Sequence, residues 1–153
     1  MKVSLLFPPT WHPSQPYLSL PSLTRFLAQG GVTNVSQRDL GIELLDEVLT
    51  KSYAIGLYHD LVDKQKELER ARQGETGPGS AEHLARIIES LDRFPYLVDR
   101  IEPAKETLRG EGFYDMEAYR ESLFLIDKWL EVISTLYFPT RLTVVDNQFS
   151  TYS

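Results

Sequence analysis

The spacing of apolar positions changes character twice along the chain. Val3-Ser4-Leu5-Leu6-Phe7 is a short run of β-formers stopped by Pro8-Pro9, which predicts a buried strand. A loop rich in Pro, Ser and aromatic residues follows. Pro21 to Gln29 then predicts a helix, capped by Ser19 or Leu20, with Pro21 in its first turn and Gly30-Gly31 closing it. Val32 to Leu40 alternates imperfectly and predicts a second, more polar strand nearer a sheet edge. Asp39 falls at or just past its carboxyl end. Strand, crossover helix and strand predict a parallel βαβ unit, with Val3–Phe7 the most buried strand of the fold.

From Ile42 onward the period becomes helical. Ile42, Leu45, Val48 and Leu49 share one face, and a second helix runs from about Tyr53 to Arg72 with Leu57, Leu61 and Leu68 on one stripe. Its end is a mixed-charge solvated face with supporting pairs such as Glu67 with Arg70. Residues 73–80 carry the Gly, Pro and Ser of an exposed break, after which Ser80 is expected to cap the next helix. Leu84, Ile87, Leu91, Phe94, Val98, Ile101 and Leu108 keep a three–four spacing. Pro95 and Pro103 divide that stretch into jointed pieces. Asp115 is expected to cap the cleanest helix, whose seam is Met116, Tyr119, Leu123, Ile126, Leu130, Ile133 and Tyr137. Phe138-Pro139 ends it, and Arg141 to Asp146 is a possible third strand. The fold class is therefore α/β, an incomplete Rossmann-like parallel sheet of two or three strands with a large, mostly helical insertion. Residues 1–50 open the sheet domain, 51–137 form the insertion and 138–153 are a return segment with a frayed end. Helix is expected over roughly 55–65% of the chain, above the usual third.

Composition narrows the function classes. The chain has 153 residues, 42% hydrophobic and 25% charged, an ordinary balance for a soluble domain. No apolar run reaches the ~18–20 residues of a membrane span, and no secretory leader opens the chain, so a cytoplasmic protein is expected. With a net charge of −6 and scattered basic residues, a nucleic-acid surface is not expected. The cysteine count is zero, which excludes disulfides, thiolate metal sites and cysteine nucleophiles from this chain.

The candidate chemistry is concentrated in the loop after the first strand, where ligands bind in open α/β sheets. Prolines stiffen it; Trp11 and Tyr17 offer flat apolar surface; Thr10, Ser14, Gln15 and Ser19 offer hydrogen bonds. The alternative is a Pro-rich loop folded onto its own core. His12 lies in this loop, whereas His59 and His83 read as plain surface residues of long helices. Asp39 has two readings, contact with a ligand hydroxyl or cap of the next helix. Glu43, Asp46 and Glu47 crowd one helical turn and read as a solvated face. No Ser/His/Asp arrangement, phosphate loop or dinucleotide fingerprint is present.

The run from Phe7 through Pro8-Pro9-Thr10-Trp11-His12-Pro13-Ser14-Gln15-Pro16-Tyr17 to Leu23, with the continuation Gln37 to Glu43, closely resembles the start of radical SAM proteins that carry an N-terminal cobalamin-binding domain. The resemblance is specific over residues 2–47 and weaker over the helices, where that family has a variable insertion. It implies a Rossmann-like domain with cobalamin against Pro9, Thr10, Trp11, His12, Ser14, Gln15, Tyr17 and Ser19, and Asp39 close by. It also implies a second domain using S-adenosylmethionine and an iron–sulfur cluster, typically for methyl transfer or radical rearrangement. The sequence departs from the pattern in three ways. It has no cysteine for the cluster, it lacks the later strands of the cobalamin domain, and of a D-x-H-x-x-G motif it keeps only His12. The expectation is an amino-terminal piece of a longer enzyme, not catalytic alone, whose partners are cobalamin and the rest of its own chain. The competing expectation is a helical module that binds a partner through the 115–137 seam.

Overall fold

The structure is a computed structural model and describes residues 2–8, 18–72 and 78–142. It forms two units, Met1–Val48 and Leu49–Ser153. The first contains strand β1 (Val3–Phe7), helix α1 (Ser19–Gln29), strand β2 (Val35–Asp39) and helix α2 (Leu40–Val48). The two strands pair in parallel, in register from Val3 opposite Val35 to Phe7 opposite Asp39. α1 is the crossover between them, as the sequence predicts. Its end is set by the two glycines. Gly31 takes the left-handed conformation at φ 80°, open to glycine without steric cost. That turn lets Gly31 N–H donate to Ala28 O and Val32 N–H to Leu27 O, the paired bonds of a Schellman motif. At its start α1 begins at Ser19, with Leu18 in the cap position and no side-chain cap, so neither Ser19 nor Leu20 is the cap.

The expectation that β1 is the most buried strand is not met, since β1 and β2 each have three half-buried and two exposed residues. Val3, Leu5 and Phe7 are half-buried, but Ser4 and Leu6 face outward, Leu6 with 56% exposure. The reason lies in the pleat, which sends alternate side chains to opposite faces. α1 covers one face, where Thr24 Oγ1 accepts from Gln37 Nε2 at 2.7 Å. The other face carries the cross-strand contact of Ser4 Oγ with Ser36 Oγ at 2.9 Å and, beside Leu6, Arg38 with its bond to Glu43.

The second unit is helical: α3 (Lys51–Arg72), α4 (Pro78–Val98), α5 (Ile101–Arg109), a 3₁₀ turn (Glu111–Tyr114) and α6 (Met116–Leu136). Thr50 Oγ1 caps α3 by accepting from Tyr53 N–H, and Glu102 reaches from α5 to the Lys51 N–H. Asp115 caps α6 as expected, accepting from the backbone of Glu117 and Ala118. α4 begins at Pro78, so Ser80 lies inside the helix rather than capping it. A proline suits the first helical position because its missing N–H would have no intrahelical partner there. The expected joints also move. Pro95 is carried within the last turns of α4, and Pro103 sits in the first turn of α5, where no N–H is needed. The break falls between them at Asp99-Arg100. Helix occupies 76% of the described residues, a mostly helical chain as expected, and α2, α3 and α4 each begin slightly earlier than their apolar stripes suggest.

The core of this unit lies where α3, α4 and α5 meet α6. α3 buries Leu57, Leu61 and Leu68, the predicted stripe, together with Ala54. α4 and α5 bury Leu84, Ile87, Ser90, Phe94, Leu97, Ile101 and Ala104. Leu91 and Val98 from the predicted stripe stay half-buried, and the small residues Ser90 and Ala104 fill core slots instead. The centre of the α6 seam, Ile126, Leu130 and Ile133, is buried, and so are Leu125, Trp129 and Val132 beside it. A face that wide closes against several helices of one fold rather than one partner. Of the seam, the exposed ends Met116 and Tyr137 are what remains for a partner. Trp129 is fully buried with its ring 5.3 Å from Phe94, whose ring also meets Tyr58 of α3 at 5.3 Å. The possible third strand at 141–146 lies mostly outside the described residues, and Arg141 and Leu142 are not in a strand. Among the described residues, no helix is long and apolar enough to cross a membrane.

Candidate functional site

Parallel pairing brings the carboxyl ends of β1 and β2 to one level, because Phe7 is opposite Asp39. The chain leaves β1 there through Pro8 and re-enters at Leu18, next to the first turn of α1. Of the residues singled out from sequence, Pro9, Thr10, Trp11, His12, Ser14, Gln15 and Tyr17 lie outside the described residues. Ser19 is the first residue of α1, and Asp39 is the last of β2.

Asp39 performs the capping role. Its Oδ1 accepts from Gly41 N–H at 2.9 Å and from Ile42 N–H at 3.1 Å, satisfying two amides of the first turn of α2. Asparagine caps about as well as aspartate, so Asp39→Asn should change stability by only a few tenths of a kcal/mol, and Asp39→Ala should cost about 1 kcal/mol. Urea melts of the two variants separate the cap from any role of the charge. A similar loss in both would assign Asp39 more than capping. One turn further on, Arg38 grips Glu43 through a two-point contact, Nε donating to Oε1 at 2.9 Å and Nη2 to Oε2. The hydrogen bond from Arg38 holds the Glu43 carboxyl below its ordinary range. Among the described residues, no group of three His, Asp or Glu side chains is arranged to hold a metal ion.

A second cluster, which the sequence reading did not find, lies in the helical unit. α4, α6 and the segment Phe138–Arg141 enclose a cavity of about 260 Å³. Four basic side chains line it, Arg86, Arg93, Lys128 and Arg141, together with the carboxylates Glu89 and Glu131. Glu131 is the hub. It accepts from Lys128 Nζ at 2.9 Å and from Arg141 at 3.1 Å, with Arg93 at 4.0 Å. Arg86 bonds Glu82 at 2.8 Å, and its guanidinium sits 5.2 Å from the centre of the Phe138 ring.

The wall behind this cavity is a chain of hydroxyls. Thr135 Oγ1 donates to Glu131 O at 3.0 Å, so its single proton is committed and the 2.8 Å contact with Ser90 Oγ has Ser90 as donor. Ser134 Oγ donates to Leu130 O and accepts from Leu142 N–H at 2.7 Å, which ties the segment after α6 to the bundle. His83 is not a plain surface residue. Its Nε2–H donates to Thr135 O at 2.7 Å, and its ring stacks on Phe138 with centroids 5.2 Å apart. His59 is exposed, as expected. The signal for the cluster was two polar stripes at helical spacing. Arg86, Glu89, Ser90 and Arg93 line α4, and Lys128, Glu131 and Thr135 line α6. Each reads alone as a solvated face, and only their packing together makes a site.

Compared with models of protein families, with curated proteins and with solved structures, the chain finds no match in any of the three.

Proposed function

We propose that residues 1–48 open a Rossmann-like cobalamin-binding domain of the kind found in radical SAM enzymes, and that the chain is the cobalamin-holding part of such an enzyme, not catalytic alone. The observation that carries this reading is the in-register parallel pair β1–β2, with the resembling loop connecting the carboxyl end of β1 to α1. Ligands of open α/β sheets gather at that end, and Asp39 marks the neighbouring strand end at the same level. The outward face of β1, with Leu6 exposed, suits a sheet that a further layer covers, as in a Rossmann-like domain. Cobalamin would supply methyl-transfer or radical-rearrangement chemistry. Because this chain has no cysteine, the iron–sulfur cluster and S-adenosylmethionine would be held by polypeptide outside these 153 residues.

The test is retention of hydroxocobalamin through dialysis, read from its visible spectrum. Residues 1–153 alone should hold it weakly or not at all, because the strands that would cradle the nucleotide tail are not among those described. The same chain extended through further sheet strands should retain it. His12→Ala should leave the bound spectrum unchanged, since the D-x-H-x-x-G context of a histidine ligand is missing. An extended protein that lets all the cobalamin pass would overturn the proposal. Loss of a nitrogen-ligated spectrum in the variant would make His12 the axial ligand.

A further inference from the structure

We infer that the cavity between α4, α6 and Phe138–Arg141 is a binding site for a small phosphate-bearing molecule. This inference is independent of the cobalamin reading, because it rests on the helical unit alone. It starts from charge. The chain as a whole carries −6, yet this cavity collects four basic side chains and only two carboxylates. An ion-pair staple that merely held Arg141 to α6 would need one cation for Glu131. Here Lys128 and Arg141 share that single carboxylate, while Arg93 bonds Glu89 and reaches Glu131 only at 4.0 Å. With Arg86 paired to Glu82 and Arg93 to Glu89, the surplus is one positive charge, shared by Lys128 and Arg141 over Glu131, and a partly enclosed cleft focuses it.

Geometry points the same way. The side chains of Arg86, Arg93 and Arg141 are about half exposed, at 43%, 49% and 55%, so their guanidinium groups remain reachable from water. Guanidinium forks match the oxygens of a phosphate better than an ammonium does, and three of the four cations are arginines. They stand on two separate elements, α4 and the segment after α6, and so approach the cavity from different sides, as the several oxygens of a phosphate require. A volume of about 260 Å³ lies just below the range of drug-sized pockets, which restricts the ligand to a phosphomonoester or a molecule of similar size. Glu131, with 27% exposure, takes the part of an internal anion that the ligand's charge competes with.

That competition makes the test two-sided. Inorganic phosphate is titrated into the 153-residue protein against sodium chloride at matched ionic strength, with binding followed by amide chemical shifts in a two-dimensional NMR spectrum. Saturable shifts are expected at Arg86–Arg93, Lys128–Thr135 and Phe138–Arg141, and not with chloride. Arg141→Gln should weaken the phosphate affinity by about tenfold, the scale of one charge-assisted contact. Glu131→Gln should tighten it, which a purely structural role for Glu131 would not produce. Arg100→Gln serves as the control for lost positive charge, since Arg100 stacks on Tyr96 at 4.1 Å and does not line the cavity. Shifts that chloride reproduces, or weaker binding in Glu131→Gln with the fold intact, would sink the inference. So would an equal loss of affinity in Arg100→Gln and Arg141→Gln.

Discussion

Replacing Trp129 by alanine should lower the stability of the helical unit by about 3–5 kcal/mol, the range for deleting a large buried aromatic side chain. Trp129 is 0% exposed, and its ring is the α6 end of an aromatic chain that runs through Phe94 of α4 to Tyr58 of α3. Removing it takes away the transferred apolar area and leaves a void among three helices that cannot all close in at once. Phe124, five residues earlier on the same helix, is 58% exposed, and Phe124→Ala should stay within about 0.5 kcal/mol of the parent. Denaturant melts followed by the helical circular dichroism signal measure both. A cost below about 1 kcal/mol for Trp129→Ala would mean that α6 is not closed in by α3 and α4 as described.

The second large effect is expected at the buried hydroxyl pair. Thr135→Val keeps the shape of the side chain but removes the acceptor for Ser90 Oγ, stranding a donor in a residue only 7% exposed. An unsatisfied buried hydroxyl costs about 1–3 kcal/mol, whereas removing both partners can be nearly neutral. Thr135→Val alone should therefore destabilise by that amount, and adding Ser90→Ala should recover most of it. The double-mutant cycle reads this as a coupling of comparable size. Additive losses from the two changes would show that the hydroxyls do not depend on one another.

These two predictions mark where the sequence was readable and where it was not. The parallel β1–β2 pair, the Gly30-Gly31 stop, the Asp115 cap and the Leu57, Leu61 and Leu68 stripe all follow from local rules, and each is found. Local rules govern them because turn chemistry and period act over a few residues. Trp129 escaped the reading because a seam traced at three–four spacing through Ile126, Leu130 and Ile133 skips it. A helix surrounded by three others buries more than one seam. Ser90 escaped because a hydroxyl in an apolar stripe looks like a gap until its partner, 45 residues away, is known. The same distance hid the basic cavity, since Arg86 and Arg93 are separated in sequence from Lys128 and Arg141 and were counted among scattered charges. β1 was misjudged for a different reason. A mostly apolar run, here broken only by Ser4, says that both faces can be buried, but coverage of the second face has to come from elsewhere in the fold.

The half-covered sheet has a consequence at its rim as well as on its face. Val3 N–H donates across to Asn34 O at 3.0 Å, and backbone direction alternates along a strand, so Ser4 and Leu6 direct their amide and carbonyl groups away from β2. Among the described residues β1 has a neighbour on one side only, and it is the more apolar of the two strands. Its far side thus behaves like an unfilled valence, oriented and spaced to accept one more strand of backbone. Whichever polypeptide docks there would turn β1 from the margin of a ribbon into the middle of a sheet.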